Sequence, residues 1–244
     1  LHREAGQKGR TVGERQKNRR TDSACGAAVL AAPPCCREKK TMKKYTKRQA
    51  LCILHEAAGN YERYLRGKQF LFAYRFGTDV RFSVVQFSAS SFLHLTGMKT
   101  NVPANAFYER ALHSMLSERD IEFRSGNTHR KLAVLQSIPQ ITRGPSLIGR
   151  YDEGTGFNLM ADAVIGNEKP LKLTLAFRGN GRTGYPVSLL CEDVRRISRD
   201  PVRVLAVWKR GAGERDFAEA TYCSAGEDAE AILSLWREGQ LVFT

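Results

Sequence analysis

The sequence predicts an α+β fold in which N-terminal helices pack on a small antiparallel β-sheet. Three observations predict it. Apolar residues recur at helical spacing in three segments of the first half. From Ser146 onward the texture changes to short β-type runs divided by Gly-, Asn- and Pro-containing turns. Helices first and strands afterwards is the order of an α+β domain rather than of alternating βαβ units. The 244 residues are 42% apolar and 26% charged, which suits one globular domain with unstructured ends. Collagen-like, coiled-coil and fully disordered chains are excluded, and no apolar run approaches the ~20 residues that span a bilayer.

Residues 1–41 hold ten Lys/Arg against four Asp/Glu and almost no apolar periodicity. Such a segment buries too little apolar surface to offset its ordering entropy, so disorder is expected. A basic tail for nucleic acid and a signal peptide with residues 27–32 as its core are two readings of it. The charged stretch before that core is long and the core itself short. The expected reading is therefore an upstream, non-native extension, with translation from Met42.

Residues 47–66 predict an amphipathic helix with Leu51, Leu54, Ala58, Tyr61 and Leu65 on one face, stopped by Gly67. Residues 69–76 and 80–87, around Gly77-Thr78-Asp79, predict a β-hairpin. Serines at 88, 90 and 91 cap a short helical turn that Gly97 ends. Residues 105–117 predict a second helix with Phe107, Tyr108, Ala111, Leu112 and Met115 inward. Residues 128–138 predict a third, with Leu132, Leu135 and Ile138 inward, ending at Pro139. Strands are expected over 147–151, 159–165, 171–178, 185–190 and 202–209, with Arg199-Asp200-Pro201 as the last turn. Residues 211–244 form a more acidic tail with one helix over 228–238, which leaves 42–210 as the folded domain.

Lys plus Arg exceed Asp plus Glu by 39 to 25, a net charge of +14 that suits a polyanionic partner. The share outside residues 1–41 is 29 against 21. Six scattered cysteines without a C-x-x-C pair predict reduced thiols and a cytoplasmic protein. The strand at 171–178 alternates, with Leu171, Leu173, Leu175 and Phe177 on one side and Lys172, Thr174, Ala176 and Arg178 on the other. That second side reads as a solvated face or as a phosphate-binding surface.

No metal is expected, because neither the five histidines nor the cysteines lie at ligand spacing. No Walker loop exists, and Gly179-Asn180-Gly181 precedes a strand, which makes it a hairpin turn rather than a phosphate cradle. No G-x-S-x-G elbow exists, and Cys191 reads as a core thiol. What remains is acid/base chemistry on a phosphodiester, for which His, Lys, Arg, Tyr and Ser/Thr suffice. His94, in a tight turn beside Thr96 and Gly97, is the candidate acid/base, with a structural role as its alternative. His129-Arg130 puts positive charge where a helix start disfavours it, a cost that an anion nearby would relieve.

Phe92-Leu93-His94-Leu95-Thr96-Gly97 resembles the F-x-H-L-x-G signature of a phage- and prophage-encoded family. This is the fourth phage type of the Barnase–EndoU–colicin–RelE-like nucleases. Phe107-Tyr108, Lys131-Leu132, Tyr185-Pro186-Val187-Ser188 and the strand at 202–207 follow in the family's order. The resemblance covers roughly residues 45–209. It implies a Barnase/EndoU/RelE-like fold and metal-independent RNA cleavage by 2′-hydroxyl attack, in proteins acting as phage effectors or toxins. It implies His94 as acid/base, Lys131 as a phosphate cation, and Tyr185 and Ser188 as hydroxyl donors. Arg178 joins the catalytic set from the strand pattern, and Thr96, Lys172, Thr174 and Arg182 are the expected substrate-binding residues. The expected partners are RNA, such as tRNA, and an acidic antidote protein, with no membrane and no cofactor. Two other readings are an inert nucleic-acid-binding module and a phage structural or host-interaction protein.

Overall fold

The computed structural model describes residues 44–157, 159–168, 172–179 and 183–241. The expected extension over 1–41, Leu171 and Arg182 lie outside them. Helix α1 (Lys47–Tyr64) leads into the hairpin β1 (Lys68–Phe76) and β2 (Asp79–Gln86). Helix α2 (Ala89–Thr96), strand β3 (Met98–Lys99), helix α3 (Ala104–Leu112) and strand β4 (Glu122–Phe123) follow. Helix α4 (Gly126–Val134) continues as a 3-10 helix over Leu135–Thr142. The remaining chain forms β5 (Ser146–Tyr151), β6 (Ala163–Asn167), β7 (Thr174–Gly179), β8 (Thr183–Leu190), β9 (Ser198–Gly211), β10 (Glu219–Cys223) and α5 (Ala229–Leu241).

The helices form for local reasons. Thr46 caps α1: its hydroxyl accepts from the Gln49 amide at 3.2 Å while the Gln49 side chain accepts from the Thr46 amide at 3.0 Å. Ala50, Leu54, Ala57, Ala58 and Tyr61 supply the buried stripe. Gly97 ends α2 with φ +67°, a left-handed C-cap. Helix α3 is shorter than its apolar spacing suggests, because Ser114 takes φ +56° and turns the chain away. Met115, expected inward, is exposed. Pro139 lies inside the 3-10 stretch instead of ending α4, and Leu132, Leu135 and Ile138 are buried as expected.

The expected small antiparallel sheet under the helices is not what forms. Seven strands close on themselves in the order β1-β2-β8-β7-β6-β5-β9 and back to β1, a β-barrel, with five α-helices among the described residues. Two seams close it. One is a parallel contact of β2 with β8 at Val84↔Thr183 and Val85↔Gly184. The other is β9, whose 14 residues pair with β5 through their first part and with β1 through Val204–Gly211. The sequence reading stopped this strand at Val202 because Arg199-Asp200-Pro201 has turn chemistry. Those residues form a bulge instead: Arg150↔Arg199 and Ile148↔Val202 leave one extra residue on β9, and Asp200 sits at φ +50°. Gly149 allows it, since a Cβ there would lie 2.8 Å from Ser198 Cβ and 3.0 Å from the Arg199 carbonyl.

The main core draws on all seven ring strands, through Phe72, Val85, Leu189, Leu175, Ile165, Ile148 and Val204 among others, so it is the interior cluster. Leu54 and Tyr61 of α1, Phe92 of α2, Phe107 of α3 and Leu132 of α4 pack into it. On the outer side, β1 and β9 carry Leu71, Ala73, Leu205 and Trp208, covered by Phe217 and by Ile232 and Leu233 of α5. The segment expected as a tail with one helix supplies, in its described residues, β10 against β9 and α5 on this outer face. Strand β7 keeps its predicted alternation at Leu173, Leu175 and Phe177. Its other side, however, is covered at Ala176 by Val164, Leu190 and Val194. No helix of the described residues is long and apolar enough to cross a membrane.

Candidate active site

The signature segment Phe92–Gly97 is explained residue by residue. Phe92 is fully buried, edge-on to Tyr61 and Tyr108 with centroids 5.3 and 5.4 Å away. Leu95 is in the core. Thr96 is fully buried with its hydroxyl engaged both ways, donating to the Leu93 carbonyl at 2.8 Å and accepting from the Met98 amide at 3.0 Å. His94 alone points out, exposed, with no hydrogen bond among the described residues. Burying Phe92 and Leu95 therefore fixes which way the imidazole faces.

Helix α4 is tied to the end of α2. The Thr128 hydroxyl donates to the Gly97 carbonyl at 2.8 Å. This brings Lys131 across Gly97, whose missing Cβ would lie 2.9 Å from Lys131 Cδ. Gly97 thus meets two demands, a positive φ and room for a lysine stem. We expect Gly97→Ala to lower stability by about 1–2 kcal/mol, measured by urea unfolding, and to displace Lys131, lowering turnover with it. Beyond Gly97 the Lys131 ammonium donates to Ser188 Oγ at 3.2 Å. Burial pushes the Lys131 pKa below the ordinary lysine range; the neighbouring Cys191 thiol opposes the shift and the Arg124 charge adds to it.

Ser188 reaches this point through a bulge in β8. Ala176↔Ser188 is followed by Phe177↔Pro186, which leaves Val187 as the extra residue. Pro186 suits that position, where no ladder donor is required. Val187 and Ser188, though consecutive, both line one cleft of about 770 Å3 with His94, Lys131, Arg124 and Arg130. Arg130 is held by Glu192 at 2.8 Å, and Glu192 is also 3.6 Å from Arg196. Arg124 makes no ion pair among the described residues. Among the described residues, Glu192 is the only carboxylate lining the cleft. Cys191 lines it as well, its thiol pushed up to about 11 by burial.

A second pocket, about 450 Å3, lies on the other side of His94. Gln86, Ser90, Thr183 and Tyr185 line it, and His94 and Val187 belong to both pockets. Among the described residues, Lys99, Arg124, Arg130 and Lys131 line the first pocket and no Lys or Arg lines the second.

The structure thus gathers His94, Lys131 and Ser188 on one cleft and sets Tyr185, 42% exposed, beside His94 in the neutral pocket. Arg178 is exposed and pairs with Tyr185 across the β7–β8 ladder, but lines a neighbouring depression with Asp162 and Phe157. Thr96 and Thr174, expected to touch substrate, are fully buried, and Thr174 donates to the Glu192 carbonyl at 2.8 Å. Lys172 is exposed and lines neither pocket beside His94. Arg182 lies outside the described residues. His129 accepts from the Tyr45 amide at 3.1 Å and lies tilted against the Phe123 ring, centroids 4.4 Å apart, a structural role. Arg124 escaped the sequence reading; it stands just before Ser125, the N-cap of α4, whose S-x-x-T capping box is the readable signal. Among the described residues no group of three or more His, Cys, Asp or Glu could hold a metal ion, and Cys52, Cys191 and Cys223 are free thiols.

One imidazole, a partly buried ammonium and an arginine, Arg124, without an ion pair among the described residues share a cleft suited to an anionic ester. The comparisons place the chain more narrowly. The model of the family described as phage-Barnase-EndoU-ColicinE5/D-RelE like nuclease4 matches residues 53–216, and the chain belongs to that family of phage-related nucleases. No curated protein and no solved structure matches it.

Proposed function

We propose that the protein is a metal-independent endoribonuclease that cleaves RNA by attack of the 2′-hydroxyl on the adjacent phosphate. The observation that carries this reading is an exposed imidazole, His94, lining the same cleft as Lys131, Arg124, Arg130 and the Ser188 hydroxyl. His94 takes the 2′-hydroxyl proton at a ring nitrogen as the 2′ oxygen–phosphorus bond forms. Lys131, oriented by Ser188, neutralises the phosphorane and gives its proton to the 5′ oxygen as the phosphorus–5′ oxygen bond breaks. A depressed lysine pKa makes that donation easier. Arg124 is free to hold the phosphate, and Arg130, tied to Glu192, shapes the cleft wall.

Glu192, the cleft's one carboxylate among the described residues, is already held between two arginines, which favours acid/base groups over a metal for the chemistry. The family's association with phages makes a role as a toxin or effector against host RNA, such as tRNA, part of the same proposal. An antidote for it would be an acidic protein that covers the cation side of the cleft.

The test is cleavage of a mixed-sequence RNA in EDTA, with the ends identified by mass spectrometry. Products with 2′,3′-cyclic phosphate and 5′-hydroxyl ends are expected. Binding without cleavage, or cleavage that EDTA abolishes, would replace this reading.

A further inference from the structure

We infer that the neutral pocket beside His94 is a nucleobase subsite, so that the substrate is RNA whose base at the cleaved position is unpaired. This rests on the nuclease reading of the same cleft. A nucleotide has a charged end and a neutral aromatic end, and the site divides the same way. Lys131, Arg124 and Arg130 line the first pocket, and among the described residues no Lys, Arg, Asp or Glu lines the second. The pocket's exposed aromatic surface is Tyr185, and stacking on an aromatic ring is worth about 1–3 kcal/mol per base.

Gln86 supplies the polar edge. Its Oε1 accepts from Gln69 Nε2 at 3.3 Å, which fixes the amide and leaves its own nitrogen, a double donor, unspent among the described residues. Base carbonyls and ring nitrogens are acceptors that such a donor reads. The neighbouring serines are occupied with one another: Ser88 Oγ lies 2.9 Å from both Ser90 Oγ and Ser91 Oγ. They shape the wall, and Gln86 reads the base. A base can enter only after leaving its stack, which selects single strands, loops and bulges over duplex RNA. In this assignment Tyr185 acts through its ring, and its hydroxyl is not required.

The experiment measures binding, so it does not depend on cleavage. The full chain is titrated calorimetrically with inorganic phosphate and with the four nucleoside 3′-monophosphates. At least one nucleotide is expected to bind ten-fold or more tightly than phosphate. Tyr185→Ala should remove that advantage while phosphate affinity, which reports an intact fold, stays within two-fold. Tyr185→Phe should keep the advantage, and Gln86→Ala should compress the differences among the four bases. Nucleotides that bind no better than phosphate, or an advantage that survives Tyr185→Ala or is lost in Tyr185→Phe, would overturn the subsite. Loss of RNA cleavage in His94→Ala judges the catalytic reading separately.

Discussion

His94→Ala is expected to lower RNA cleavage by about 10²–10⁴-fold, the range for removing one positioned acid/base group. RNA affinity should stay nearly unchanged, because the cations that hold phosphate are on α4 and before it, not on α2. The imidazole is exposed and makes no hydrogen bond among the described residues, so its removal opens no cavity and orphans no partner. The variant should therefore unfold at the same urea concentration as the parent. Single-turnover kinetics beside filter binding check both halves. A large fall in affinity with the rate intact would make His94 a binding group instead.

The second large effect is at Lys131 and Ser188. Lys131→Met is expected to cut turnover by about 10²–10³-fold, as for loss of a donor aimed at developing charge. Lys131→Arg should keep RNA affinity but not the rate, since a guanidinium stays charged and cannot give up a proton. Stability should move the other way. The folded-state pKa of Lys131 lies below its unfolded value of 10.5, so the unfolded chain binds more protons between those two values. The cost of holding the charge is fully present below the depressed pKa and fades as pH rises to 10.5. The double variant Lys131→Met with Ser188→Ala removes both partners and leaves neither hydroxyl nor ammonium unpaired. It should be more stable than the parent by about 1 kcal/mol at neutral pH, with the difference closing on the alkaline side. Urea unfolding at several pH values measures it. Such a gain in stability from deleting polar groups is the mark of a site kept for chemistry.

The elements were legible in the sequence where local physics decides them. The face of Leu54, Ala58, Tyr61 and Leu65 on the first helix, the hairpin around Gly77-Thr78 and the Gly97 cap all follow from spacing or from a required φ, although Leu51 is only partly buried. Closure of the sheet was not legible, because it depends on which edges meet. The Val84–Val85 contact with Thr183–Gly184 joins strands about 100 residues apart and spans two residue pairs. Asp200-Pro201 has the same chemistry in a bulge as in a turn, which hid the bridging strand. In the site, the signature, the Lys131-Leu132 pair and the Tyr-Pro-x-Ser element point to His94, Lys131, Tyr185 and Ser188. Alternation on β7 suggested Thr174 and Lys172 because it cannot tell a face open to solvent from one covered by Val194 and its neighbours. Arg124 was missed for the opposite reason: it belongs to no pattern and matters only through where the α4 cap sits.

In the proposed reaction the 2′-hydroxyl is the nucleophile, and one substrate pair tests that directly. A short RNA with a single cleaved linkage is compared, in EDTA, with the same strand carrying a 2′-O-methyl group at that nucleotide. Cleavage of the first with a 2′,3′-cyclic phosphate end, and none of the second at that linkage, is the predicted result. Cleavage of the blocked strand at an equal rate would contradict it, since water would then be the nucleophile and His94 would have no 2′ proton to take.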